Sequence, residues 1–410
     1  MDKKKIRVGF IGMGRRAPGM VKTALMYDYV DVTSICDIDP DRITKGQQIV
    51  KEVRDGDCKG YTDYKELLAD TEIDAVIITA AWEVHVPMAV AAMKAGKAVG
   101  LEVGGAYSVD DCWELVKTYE ETKTPFMFLE NCCYGKRELL ATSLVRNGVL
   151  GEIVYCHGAY AHDLRKGIAE GVYTGFYRLR NYLTRNCENY PTHELGPIAK
   201  ILNINRGNRM LCLVSVASKA RGMHAFVDGK EAFEVLQDKS FIQGDIVETI
   251  ITCADGATIS LKLDTTLPRY YSRELTVSGT KGLYKEEGDV VFEDGDEKQE
   301  GEELDSFYHS AENYEDKYLP DCWKKITPEE VESGHGGMDV LVLGAFFEAL
   351  QNGTSMPIDV YDAASWMVIS CLSETSVRMG GHPVEIPDFT RGAWLTRKPK
   401  DVIELAVKDM

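Results

Sequence analysis

The chain has 410 residues, 44% of them hydrophobic, enough for a large core and, at about 150 residues per domain, too many for one compact unit. Sixty-five Asp and Glu against 47 Lys and Arg give a formal charge of −18, which repels phosphate backbones and anionic lipid and argues against nucleic acid and membrane as partners. Charged residues make up 27%, as in ordinary globular proteins, so disorder is not indicated. No segment approaches the roughly 18 apolar residues of a membrane span. The apolar run after Lys3-Lys4-Lys5 is broken by glycines within about six residues, so it does not read as an export leader. Eleven cysteines, with no C-x-x-C spacing and with Cys132 and Cys133 adjacent, fit neither a disulfide framework nor a zinc site. They read as small buried hydrophobes in a reducing, cytoplasmic setting.

In chain order, Ile6–Ile11 is a β-branched run that ends in glycines, the signature of a buried parallel strand. A helix is predicted near Ala17–Tyr27, then a strand over Val30–Cys36 ending at Asp37, then a helix starting at Asp39-Pro40. Asp74–Ala80 reads as a strand, Pro87–Ala95 as a helix, Ala98–Val103 as a strand, Val109–Thr122 as a helix and Phe126–Glu130 as a strand. This alternation predicts a Rossmann-type doubly wound parallel sheet over residues 1–150. Beyond Gly151 the texture changes. Glu152–Tyr160 is strand-like, and a loop rich in Tyr and Arg runs to Pro191. Leu211–Ser218, Ile246–Cys253, Ala257–Leu263 and Arg273–Ser278 read as strands, with a hairpin turn at Ala254-Asp255-Gly256. Lys285–Leu304 is acidic and reads as a solvated loop or edge, and helical spacing returns at Met338–Gln351 and Ala363–Met379. Residues 151–410 are therefore expected to form a substrate-binding α+β domain with an open, mainly antiparallel sheet, its C-terminal helices free to pack back on the first domain. The open sheet face points to a homo-oligomer.

Gly12-Met13-Gly14-Arg15-Arg16-Ala17 fits G-x-G-x-x-A directly after the first strand. The first glycine allows the tight turn, the second lets backbone approach a pyrophosphate, and the small third residue lets helix and sheet pack closely. Asp37, 25 residues after Gly12, ends the second strand, where a carboxylate accepts ribose hydroxyls and repels a 2′-phosphate. NAD is favoured over NADP, although Arg15 and Arg16 lie where a phosphate would be held.

These residues resemble the Gfo/Idh/MocA oxidoreductase superfamily and, within it, glycoside hydrolase family 109, the NAD-dependent α-N-acetylgalactosaminidases. The likeness is carried by Glu130-Asn131-Cys132-Cys133-Tyr134-Gly135, Tyr190-Pro191-Thr192-His193-Glu194-Leu195-Gly196-Pro197 and Gly334-His335-Gly336-Gly337-Met338-Asp339. Asp362–Trp366 and Val384–Gly392 extend it nearly to the end of the chain. Ordinary dehydrogenases of the superfamily place Glu-Lys-Pro after a Rossmann strand, the lysine serving as acid/base. This chain has Glu102-Val103-Gly104. Valine moves no proton, and the hydrolase family likewise lacks the lysine.

The resemblance implies hydrolysis by transient oxidation at carbon 3 of the sugar, loss of the acidified carbon-2 proton with expulsion of the carbon-1 group, addition of water, and return of the hydride. A flanking pair of carboxylates is not required. It places NAD contacts on Gly12, Gly14, Arg15, Arg16, Asp37, Trp82, Glu83, Val84, His85, Glu102, Val103 and Asn131. Carbohydrate contacts fall on Tyr160, Arg178, Tyr190, Pro191, Thr192, His193 and Tyr271. His193 is the first choice for proton transfer because imidazole titrates near neutrality, with Tyr190 and Tyr271 as groups that hold or protonate substrate oxygens. A histidine before Leu-Gly-Pro is also an ordinary structural hydrogen-bonder, and twenty tyrosines make any single one an ordinary core residue. His335 stands either near the site or merely at a turn into a helix. Cys132 and Cys133 have no activating base in sequence and read as packing beside the cofactor. His157 and His162 lack metal-ligand spacing, so no metal is assigned. A net sugar oxidoreductase releasing a ketosugar and a non-catalytic NAD-bound sugar sensor stand as alternatives.

Overall fold

The computed structural model describes residues 5–296 and 309–405. The chain divides into two compact units, one made of residues up to Tyr134 with Lys325–Ala364, the other of Gly135–Lys324 with the chain from Ser365 onward.

In the first unit β1 (Ile6–Ile11), β2 (Val30–Cys36), β3 (Lys59–Tyr61), β4 (Ala75–Ile78), β5 (Ala98–Leu101) and β6 (Phe126–Phe128) form a parallel sheet in the order 3-2-1-4-5-6. β4 and β5 are buried along their whole length, which is why they read as continuous apolar runs. The interleaved helices are α1 (Ala17–Ala24), α2 (Pro40–Arg54), α3 (Tyr64–Ala69), α4 (Trp82–Lys94) and α5 (Val109–Thr122). The order reverses between β1 and β4, the crevice where such sheets bind ligands at their carboxyl ends.

One expectation is corrected here, and two elements are added. The helix expected from Pro87 begins at Trp82 and carries Pro87 in its interior, so residues 82–85 are its first turn. β3 and α3, short and weakly apolar, went unread. The Met338–Asn352 helix belongs to this unit: the Tyr27 hydroxyl donates to the Val340 carbonyl, and Phe346 packs where Gly100 leaves room.

The break at Tyr134/Gly135 comes before the change of texture near residue 150 because α6 (Lys136–Arg146) is tied to the second unit. Arg146 donates to the carbonyls of Lys200 and Ile201 at 2.8 and 3.0 Å and pairs with Asp401 at 2.9 Å. Among the described residues that unit holds nine strands: β7 (Ile153–Ala161), β8 (Met210–Ala217), β9 (Ile246–Cys253), β10 (Thr258–Asp264), β11 (Thr276–Gly279), β12 (Gly282–Lys285), β13 (Val290–Glu293), β14 (His309–Ser310) and β15 (Val384–Glu385). Their order is 14-13-12-11-7-10-9-8-15, antiparallel throughout except for the parallel pair β7–β10. β9 alternates strictly, with Val247, Thr249, Ile251 and Cys253 buried and Glu248, Ile250 and Thr252 exposed.

The loop expected up to Pro191 instead contains short helices, Arg165–Ala169, Gly171–Thr174 and Arg178–Thr184, and Thr192–Ile201 follows it. The first three are too short to stand alone. They persist because Ile168, Ala169, Leu179 and Tyr182 bury themselves against Met223, Val227, Phe233, Leu236 and Phe241. Within the acidic Lys285–Leu304 stretch, Val290–Glu293 is a strand, while 297–304 lies outside the described residues.

Candidate active site

The glycine turn joins β1 to α1. Gly12 has φ +96°, and a Cβ there would stand 2.6 Å from the Ala80 nitrogen, so only glycine fits. Gly14 faces open space, with no atom within 4 Å of where a Cβ would stand. Asp37 closes the turn. Its Oδ2 accepts the Met13 N–H at 2.6 Å and its Oδ1 the Asp39 N–H at 3.0 Å, which fixes the carboxylate at the end of β2. This is a backbone cradle beside a helix N-terminus with an acidic partner, and it fits a dinucleotide.

Arg15 is exposed. The Arg16 guanidinium bonds Asp339 at 2.5 and 2.7 Å and Glu102 at 2.9 Å. Asp339, 1% exposed, also accepts Asn131 Nδ2 at 2.9 Å and lies 2.9 Å from His335 Nδ1. Burial alone would raise its pKa, but the hydrogen bonds from Arg16 and His335 hold it well below the carboxylate range. Glu102 Oε2 accepts the Val103 N–H at 3.1 Å. The expected contacts Arg16, Glu102 and Asn131 thus form one network centred on Asp339. That residue had no signal of its own beyond standing at the end of the Gly-rich segment.

Trp82 is buried, Glu83 and Val84 are half-buried, and the Trp82 indole occupies the space a Cβ on Gly104 would need, at 2.5 Å. His85 is buried with Nε2 3.0 Å from the Ala80 carbonyl, and burial pushes its pKa down to about 4. It is a neutral brace of the β4–α4 turn. Val103, Cys132 and Cys133 are buried.

In the second unit the residues expected to meet carbohydrate come together. Tyr160 lies near the end of β7, Arg178 opens its short helix, and Thr192 and His193 open theirs. The Arg178 guanidinium stands 4.6 Å from the Tyr190 ring centre and 5.7 Å from that of Tyr160. The Tyr190 hydroxyl lies 3.2 Å from His193 Nε2, and the Tyr160 ring packs edge-on to both Tyr190 and His193. Backbone bonds between Ala161 and Ser272 hold Tyr271 at the same strand end, where its ring meets His162 at 5.1 Å. Burial, then the Arg178 charge, lowers the pKa of His162, leaving it neutral at pH 7. Thr192 Oγ1 is buried with no hydrogen-bond partner among the described residues.

Beneath this cluster lie two carboxyls that sequence reasoning passed over. Glu188 and Glu194 are 0% and 2% exposed. Burial, with a contribution from Glu248, raises Glu188 to about 8, while hydrogen bonds from the Tyr190 backbone and Glu194 oppose this. Glu194 also packs its helix against β7, since a Cβ on Gly158 would come within 2.8 Å of its own Cβ.

The profile for the C-terminal domain of glycosyl hydrolase 109 matches residues 134–396, and that for the NAD-binding Rossmann fold of an oxidoreductase family matches residues 6–129. The chain belongs to glycoside hydrolase family 109. An α-N-acetylgalactosaminidase from Tannerella forsythia is 38% identical over 96% of this chain and 88% of its own length. A family 109 protein from Stenotrophomonas maltophilia is 38% identical over 97% and 91%. Among solved structures, a levoglucosan dehydrogenase in complex with NADH and levoglucosan superposes with a TM-score of 0.69 at 18% identity, covering 94% of this chain and all of that one. A myo-inositol 2-dehydrogenase from Lactobacillus plantarum gives 0.66 at 17%, with the same coverage. The dehydrogenases share the fold. Family 109 membership makes the chain an NAD-dependent glycosidase, with the cofactor on the Rossmann unit.

Proposed function

We propose that the substrate is a terminal α-N-acetylgalactosaminide, the activity named for the Tannerella relative, and that bond cleavage proceeds by oxidation, elimination, hydration and reduction. The observation that carries this reading is the cluster Tyr160–Arg178–Tyr190–His193–Tyr271, which offers aromatic faces, a buried cation and hydroxyl and imidazole groups at one strand end. Gly12, Gly14 and Asp37 would hold NAD, with Trp82, Val103 and Asn131 beside it; the Arg16 side chain braces Asp339 and Glu102. When bound, NAD supplies reversible hydride exchange with carbon 3, which acidifies the neighbouring carbon-2 proton. The chain's own residues handle the protons. His193, hydrogen-bonded through Nε2 to Tyr190, is arranged to pass a proton to or from a substrate oxygen, and Tyr271 is the second hydroxyl for that work. Arg178 neutralises negative charge developing on oxygen in a site walled by rings. Eleven cysteines with no C-x-x-C spacing favour a reducing, cytoplasmic setting. The exposed Ile250 and Val216 on the open sheet face support self-association.

The test is hydrolysis of a nitrophenyl α-N-acetylgalactosaminide in heavy water. Release of nitrophenol without NADH accumulation, and deuterium at carbon 2 of the sugar, is expected. A product carrying only hydrogen there overturns elimination, and stoichiometric NADH with free sugar would instead mark an oxidoreductase.

A further inference from the structure

The Arg273 side chain meets the Tyr271 hydroxyl directly. Its Nη1 donates to the Tyr271 oxygen at 3.0 Å, while its Nε is bound to the Glu138 carboxylate. Arg273 and Glu138 side chains are 11% and 2% exposed, whereas Tyr271 is 46% exposed. One end of the guanidinium is therefore anchored in the interior and the other presented to a phenol that reaches the surface. The carbonyl of Arg273 accepts the Ala159 N–H, so the residue is also pinned to β7.

The charge around this contact is uneven. Facing Tyr271 are Arg273 and the half-buried His162, which is neutral at pH 7. Behind Arg273 lie Glu138 on α6 and Glu286 after β12, the latter 4.0 Å from the guanidinium. Burial and the nearby Glu138 push Glu286 toward its protonated form, so the carboxylates do not simply cancel the arginine. A phenol that accepts a hydrogen bond from a guanidinium is easier to deprotonate, because the bond strengthens when the oxygen becomes anionic. An arginine fork held at one nitrogen also fixes the direction of that bond, which a lysine would not.

We infer that Arg273 is a positioning residue for Tyr271, held by Glu138, which aims the phenol oxygen and favours its deprotonated form. The inference rests on the assignment of Tyr271 to proton transfer, but makes a claim that can be measured without turnover. In the reaction it makes Tyr271 the acceptor of a substrate proton: the phenolate oxygen takes the proton, the substrate keeps the electron pair, and the phenol releases its proton to water before the next cycle.

The experiment is a titration of the NAD-loaded enzyme labelled with 13Cζ-tyrosine, with the Tyr271 resonance assigned from Tyr271→Phe. Arg273→Gln is combined with Glu138→Gln so that no carboxylate is stranded in the interior. Arg273→Lys, which keeps a partner for Glu138 but loses the fork, is the second variant. The Tyr271 midpoint is expected to rise by about one unit or more in the double variant and less in the lysine variant. The ascending limb of kcat/KM against pH should move with it. An unchanged midpoint in a folded variant overturns the inference, and the lysine variant decides if the double variant does not fold. A midpoint that rises while the pH–rate profile stays put keeps Arg273 in its role and removes Tyr271 from proton transfer.

Discussion

Asp339→Asn tests whether the Rossmann unit depends on a contact joining residues far apart in the chain. The wild-type carboxylate accepts two bonds from Arg16 at 2.5 and 2.7 Å and one from Asn131 at 2.9 Å, with 1% of its surface exposed. Asparagine keeps the shape but turns an N–H₂ toward one of these donors. Removing one partner from a buried pair costs about 3–5 kcal/mol. Here Arg16 is 25% exposed and retains Glu102 at 2.9 Å, so the loss should be nearer ~2 kcal/mol. At about 2–4 °C per kcal/mol for a unit of this size, the melting transition should fall by about 4–8 °C. The sign with pH follows from the depressed pKa: the pair's contribution is full above the ordinary carboxylate value of about 4 and fades only as pH falls below it. The gap between wild type and variant should therefore persist from about pH 5 to 8 in calorimetric scans of the NAD-loaded enzyme. Lys94→Gln is the control, breaking an ion pair to Glu114 at 3.7 Å in which both partners are 56% exposed. A drop no larger than the control's would refute the reasoning.

Gly12→Ala should abolish retention of NAD through gel filtration and destabilise the protein by more than ~1 kcal/mol, since the new Cβ meets the Ala80 backbone at 2.6 Å in a left-handed conformation. Retained NAD at full stoichiometry would show that the turn tolerates a side chain. His193→Ala should keep NAD and lose at least ~100-fold in kcat, the scale for an acid/base group; near-normal turnover would take His193 out of the mechanism. Glu188 has a raised pKa, so the folded state binds a proton the unfolded state has released, and its contribution falls as pH rises from the unfolded value of about 4.3 toward 8. Glu188→Gln should flatten the melting-temperature profile across that window, and a slope equal to wild type would show that the buried carboxyl is ionised throughout.

The first half of the Rossmann unit was legible because its signals are local. β1, the glycine turn and Asp37 follow from an apolar run, from the G-x-G-x-x-A spacing, and from one carboxylate at a strand end. The open sheet was legible for a similar reason, since alternation as strict as that of β9 needs only one covered face. The residues expected to meet carbohydrate were named one by one through motif likeness, and the structure brings Tyr160, Arg178, Tyr190, His193 and Tyr271 together. Residues 161–191 were not legible, because their short helices owe their existence to partners such as Met223 and Phe241 far along the chain.

What the sequence determined by itself, then, was the chemistry that short stretches of backbone impose: strand, turn, acidic partner and the family's motif residues. Tertiary structure alone decided where charge is neutralised. Nothing along the chain pairs Arg16 with Asp339, 323 residues away, yet the fold sets the two against each other. Arg273 read only as the start of a strand until Glu138 held it against Tyr271. The physical reason is that an ion pair depends on distance in space and on exclusion of water, and neither is written in the spacing of residues along a chain.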